Sequence, residues 1–115
     1  MSFEISPEVF AAFEAEAEVQ ELRDFMHWWN ARTALLGAPL SISDAKSRFA
    51  AARAEGREVG LNDNEDNRLF LQAAAMRLLP TPSAEQWLLA IDALFAPETD
   101  DMRLAQLAAL ARTEG

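Results

Sequence analysis

The sequence predicts an all-α fold, a compact bundle of about five helices. Alanine and leucine supply 23 and 15 of the 115 residues, against three valines and three isoleucines, a balance that favours helix over sheet. Apolar residues recur at three- and four-residue spacing, the period of a helix with one buried face. The four glycines and five prolines fall at or between the ends of these stretches, where they punctuate rather than interrupt.

The first helix is expected over 7–36. Ser6-Pro7-Glu8 supplies a capping serine, a proline in the first turn and an acid beside the positive helix end. No glycine or proline follows until Gly37. Ser41 or Ser43 caps a second helix over 43–55, with Gly56 as its left-handed terminator. Asn62 with Glu65 three residues on resembles a capping pair for a third helix over 63–79. Ser83, again with a glutamine three residues on, starts a fourth over 83–95. Thr99 or Asp100 starts the fifth, over 100–112.

Faces follow from the 100° step. Leu22, Phe25, Met26, Trp29 and Leu36 share one stripe. Ala84, Trp87, Leu88, Ile91, Leu94 and Phe95 share another, with Trp87, Ile91 and Leu94 expected in the core. Leu104, Leu107, Ala108 and Ala111 form a third. The 63–79 helix is apolar on opposite sides, at Leu69, Ala73 and Met76 and at Leu71 and Leu78. It is therefore expected in the middle of the bundle.

At 115 residues the chain reads as one domain, 1–115, long enough to bury roughly two-thirds of its unfolded surface. Residues 1–14 are the exception, a candidate semi-independent arm. Phe10, Phe13 and Ala17 share a face about 100° from the later stripe, and one straight helix cannot lay both on one flat core.

Composition excludes several functions. Without cysteine there is no disulfide, thiolate metal site or cysteine nucleophile. With one histidine and no tyrosine, acid–base chemistry has few candidates. A net charge of -9 argues against nucleic acid as a partner, since phosphate binding needs clustered bases. The acidic N-terminus lacks the basic and apolar regions of a signal peptide, and no apolar run approaches a membrane span of roughly 18 residues. A cytoplasmic protein without membrane contact is expected.

Motifs for chemistry fail on inspection. Asp63, Glu65 and Asn67 have the alternate spacing of a calcium loop, but its sixth and twelfth positions fall on Arg68 and Ala74 instead of glycine and glutamate. Asp24 and His27 stand three apart, as in bundle di-metal sites, yet the chain has no second histidine to complete such a site. No nucleophile elbow, phosphate loop or dinucleotide fingerprint is present. The expectation is a non-enzyme with no catalytic residue, no metal and no cofactor.

Charge and aromatic placement point instead to protein binding. Residues 1–36 carry -5, residues 37–60 +1 and residues 61–115 -5. Six glutamates precede the first base, Arg23. A solvated face and a surface that steers a basic partner both account for them. Trp28 lies about 100° from Trp29, off the main stripe, so it is either part of a wide buried face or an exposed binding aromatic. The candidate partner-binding residues are Phe10, Phe13, Glu14, Glu18, Glu21 and Trp28. The expected partner is another protein. A homodimer, or a homo-oligomeric assembly component, is the alternative.

From Leu61-Asn62-Asp63 the pattern is more particular. Arg68-Leu69-Phe70-Leu71 follows, then Pro82, Trp87-Leu88-Leu89-Ala90-Ile91 and Met102-Arg103-Leu104. Over residues 61–110 this resembles small helical accessory proteins of bacterial type VI secretion and toxin gene clusters. The resemblance implies a non-enzymatic role beside a secreted effector or toxin, as adaptor, chaperone or immunity protein.

Overall fold

Seven consecutive buried residues, Leu69 to Ala75, form the axis of the fold. In the computed structural model, which describes the backbone of residues 7–61 and 63–112 and side chains from residue 16, they belong to α4 (Arg68–Leu78). The other helices are α1 (Pro7–Asn30), α2 (Thr33–Leu36), α3 (Ile42–Glu58), α5 (Ala84–Phe95) and α6 (Asp100–Arg112). All five pack on α4, so the helix that is apolar all round is the central one. The fold is an all-α bundle. Leu71, on the second apolar side of α4, is fully buried.

An aromatic cluster joins α1, α3 and α4. The Phe25 ring lies 5.8 Å from Trp29, 5.6 Å from Phe49 and 5.2 Å from Phe70, centre to centre. Such pairs contribute about 0.5–1.5 kcal/mol each beyond their buried area. Leu36 completes the stripe expected of the first helix, and Leu22 and Met26 pack against it from the edge.

The first helix nevertheless stops at Asn30, six residues early, with no glycine or proline to stop it. Tertiary hydrogen bonds make the break. The Arg32 amide reaches the Trp29 carbonyl at 2.8 Å, tightening the last turn. Arg32 Nη1 donates to the Trp28 carbonyl at 2.9 Å, in place of the next helical amide. The Leu40 amide donates to Asn30 Oδ1 at 3.0 Å, and the Trp29 indole donates to the Ala38 carbonyl at 3.3 Å. These bonds fold the chain back so that α2 can insert Leu36.

Ser41 is the cap of α3, accepting from the Asp44 amide at 3.1 Å. Gly56 does not end that helix; it lies inside it. A Cβ there would stand 3.0 Å from Leu61 Cβ, so the glycine admits a close approach. Gly60 is the left-handed terminator, with φ 86°. The Leu61 amide donates to the Gly56 carbonyl at 2.7 Å and the Gly60 amide to the Arg57 carbonyl at 3.4 Å, the two bonds of a Schellman motif.

The third helix starts at Arg68 rather than 63, after a 3-10 turn at Glu65–Asn67. Asp66 and Asn67 have φ of 55° and 57°, a left-handed backbone that no helix tolerates but that Asp and Asn adopt more readily than most. The expected Asn62 cap lies outside the described residues. Two neighbours cap the segment: Asp63 Oδ1 accepts from the Glu65 amide at 3.1 Å, and Asn64 Oδ1 from the Leu69 amide at 3.0 Å.

The Ser83–Gln86 capping box of α5 and the Thr99 cap of α6 are present. The buried face of α5 is rotated from expectation. Leu94 is buried, Trp87 and Ile91 are half-buried, and Leu88 is 64 % exposed. The buried face centres on Ala90 and Ala93, whose small side chains let α5 close onto its neighbours. Gln86 enters that face because Nε2 donates to the Leu110 carbonyl of α6 at 3.2 Å. The α6 face is as expected at Leu104, Leu107 and Ala108, with Arg103 buried beside them.

Candidate protein-docking cleft

One ridge of α1 builds the wall of a wide cleft. Ala17, Gln20, Asp24, Trp28 and Ala31 recur at three- and four-residue spacing, so they line one side of the helix. Opposite stand Asn64 and Asn67 of the loop before α4, with Phe70 from α4 itself. The space between is about 800 Å³.

A hydrogen-bond hub holds the two walls together. Asp100 Oδ2, in the first turn of α6, accepts from the Trp28 indole at 2.9 Å and from Asn67 Nδ2 at 3.0 Å. The Arg32 guanidinium lies 4.7 Å from the Trp28 ring centre and donates from Nε to Asp101 at 3.0 Å. The left-handed pair Asp66–Asn67 is what turns the Asn67 amide toward α6. Behind it, Arg103 Nη2 donates to Asp66 Oδ2 at 2.6 Å. That hydrogen bond, with the Arg103 charge, holds the Asp66 carboxyl below its ordinary value of 3.8.

Charge in the cleft is net acidic. Glu21 accepts from Arg53 at 2.8 Å, and Arg32 is matched by Asp101. Asp24 accepts from Gln20 Nε2 at 3.0 Å and has no ion pair among the described residues. His27 is exposed on the same wall, and the Asp24 carboxylate is engaged by Gln20 rather than by His27. Among the described residues no group of three or more His, Asp or Glu side chains is placed to hold a metal ion.

The expected partner-binding residues divide into three sets. The Phe10, Phe13 and Glu14 side chains lie outside the described residues. Glu18 and Glu21 face a smaller groove of about 210 Å³ between α1 and α3, opposite Lys46 and Arg53, and Glu21 also borders the large cleft. Trp28 is not an exposed aromatic: it is 7 % exposed, packed 5.8 Å from Phe70, and reaches the cleft only at its margin. Asn64, Asn67 and Asp100 went unrecognised as site residues. The two asparagines have one signal, the run Asp63-Asn64-Glu65-Asp66-Asn67, rich in residues that tolerate left-handed turns, and Asp100 has only that of a helix start.

At the N-terminal end of the cleft wall, Glu16, Ala17, Glu18, Val19 and Gln20 are all exposed. Five consecutive helical residues cover the whole circumference, so every side of this segment is exposed in part, with Glu18 beside the α3 groove and Ala17 and Gln20 on the cleft wall. Comparisons of the chain with protein-family models, curated proteins and solved structures find no match. No helix among the described residues is long and apolar enough to cross a membrane.

Proposed function

We propose that this chain is a non-enzymatic protein-binding module that receives a basic segment of another bacterial protein along α1 and its cleft. The carrying observation is the all-round exposure of Glu16–Gln20 within a 24-residue helix. An isolated helical segment gains little stability from its own hydrogen bonds in water. Helix here, with every side partly exposed, suits a surface that a partner completes. The acids Glu16, Glu18 and Asp24 supply the field that steers a basic partner, while Phe70 and the Trp28 margin supply apolar contact. Adaptor, chaperone and immunity roles in the cytoplasm all use such a surface. The sequence resemblance over residues 61–110 favours that group.

Photo-cross-linking in the native host tests the proposal. A benzoylphenylalanine replacing Gln20 or His27, both exposed on the cleft wall, is expected to capture one discrete protein. The same group at Thr81, exposed on the α4–α5 connection, is expected not to capture it. No adduct from the cleft, or the same adducts from all three positions, overturns the proposal.

A further inference from the structure

Leu88, Leu89, Phe95 and Met102 are exposed large apolar side chains on α5 and the start of α6, and of these Leu89 lines a groove between the two helices, with Leu88 beside it on α5. The groove measures about 490 Å³ and shares no residue with the α1 cleft. Ala93 forms its floor, and at 4 % exposure it brings the backbones of α5 and α6 close to the surface.

The walls of this groove differ in charge. On α5, Glu85, Leu89, Asp92 and Ala96 follow one another at four-, three- and four-residue spacing, which makes them a single ridge. The ridge presents two carboxylates, Glu85 and Asp92, about 10.5 Å apart along the axis. Neither has an ion pair among the described residues. On α6 the wall is Gln106, Ala109 and Leu110, with no charge. Two antiparallel ridges with an apolar trough between them have the shape that receives a third helix.

We propose that the α5–α6 groove docks an amphipathic helix of a partner protein. The helix carries a leucine-type stripe on its inner face. Lys or Arg stand two turns apart on the one flank that meets Glu85 and Asp92. Charge decides against a second copy as occupant, because two chains of net charge -9 repel, and pairing this face with itself sets carboxylate against carboxylate. The proposal is independent of the α1 reading and survives its failure.

The test uses the full-length chain and two synthetic 18-residue helical peptides. Both carry leucines at i, i+3, i+4, i+7 and i+11. One has lysines seven apart on one flank, the other has them on the opposite flank. Fluorescence anisotropy is expected to show saturable binding of one peptide, at least about tenfold weaker for the other. The double variant Leu88→Ser/Leu89→Ser is expected to weaken binding about tenfold, and Asp92→Asn several-fold. All three side chains are exposed, so circular dichroism should be unchanged. Equal binding of both peptides, equal binding to wild type and double variant, or no binding at all overturns the proposal. So does a dimer of the chain alone, seen by ultracentrifugation, that the double variant dissociates.

Discussion

Arg103 and Asp66, 37 residues apart, form the ion pair that fixes the cleft from behind. The Arg103 side chain is 2 % exposed, and its Nη2 reaches Asp66 Oδ2 at 2.6 Å. Nε and Nη2 also donate to the Ala96 carbonyl at 2.9 and 2.6 Å. One side chain thus joins the loop before α4, the connection before α6 and α6 itself. Asp100, three residues away on α6, is thereby held where Trp28 and Asn67 donate to it.

Replacing Arg103 with Met keeps most of the buried volume and removes every donor. The Ala96 carbonyl is left without these donors and the 63–67 loop loses its anchor. Urea titration is expected to show a loss of about 2–3 kcal/mol. A loss below about 0.5 kcal/mol would show that the buried guanidinium contributes nothing net, as happens for some buried pairs.

The same pair sets a pH response. Asp66 has a folded-state pKa depressed below its ordinary 3.8 by the hydrogen bond and charge of Arg103. A depressed pKa means that the folded chain binds this proton less readily than the unfolded chain. The contribution is therefore fully present above 3.8 and is lost as pH falls below it. Thermal melts from pH 6 to pH 2 should show this loss, with a smaller acid slope in Asp66→Asn. An identical slope in the variant would contradict it.

Elements set by local chemistry were legible in the sequence. The Ser83–Gln86 box, the Thr99 cap and the central placement of the 69–75 run follow from neighbours within four residues. Features set by distant partners were not. Asn30 ends a helix because Leu40 donates to it, and nothing near Asn30 announces that bond. Nothing near Arg103 announces that it is buried, because its partner Asp66 lies 37 residues away. Trp28 reads equally as core or contact, because its partner Asp100 lies 72 residues away. The rotation of α5 was missed because its alanines, not its leucines, make the close contact.

Gln72 is a second departure from pattern. It is fully buried in α4, and neither side-chain amide atom has a hydrogen-bond partner among the described residues. One turn before it, Arg68 stacks 4.8 Å from Phe95; one turn after it, Met76 shares a pocket with Trp87. Gln72 therefore faces α5 between these two contacts. Gln72→Met removes an unpaired amide at similar volume and should raise stability by about 1–2 kcal/mol in denaturant titration. A loss of stability would show that the amide is satisfied in solution.

Gly60 carries φ 86° with nothing within 4 Å of a added Cβ, so a substitution meets backbone strain alone. Gly60→Ala should cost about 1–2 kcal/mol, and Gly60→Asn less, because asparagine enters the left-handed region more easily. Equal melting temperatures for all three chains would contradict the Schellman ending of α3.

The central claim is that the exposed stretch 16–20 of α1 is a surface for a partner to cover. Hydrogen exchange on the chain alone measures this most directly. Amides of 16–20 should exchange orders of magnitude faster than those of 69–75, which lie in the fully packed centre. Protection of 16–20 equal to that of 69–75 would mean that this part of α1 is already covered, and would contradict the docking account.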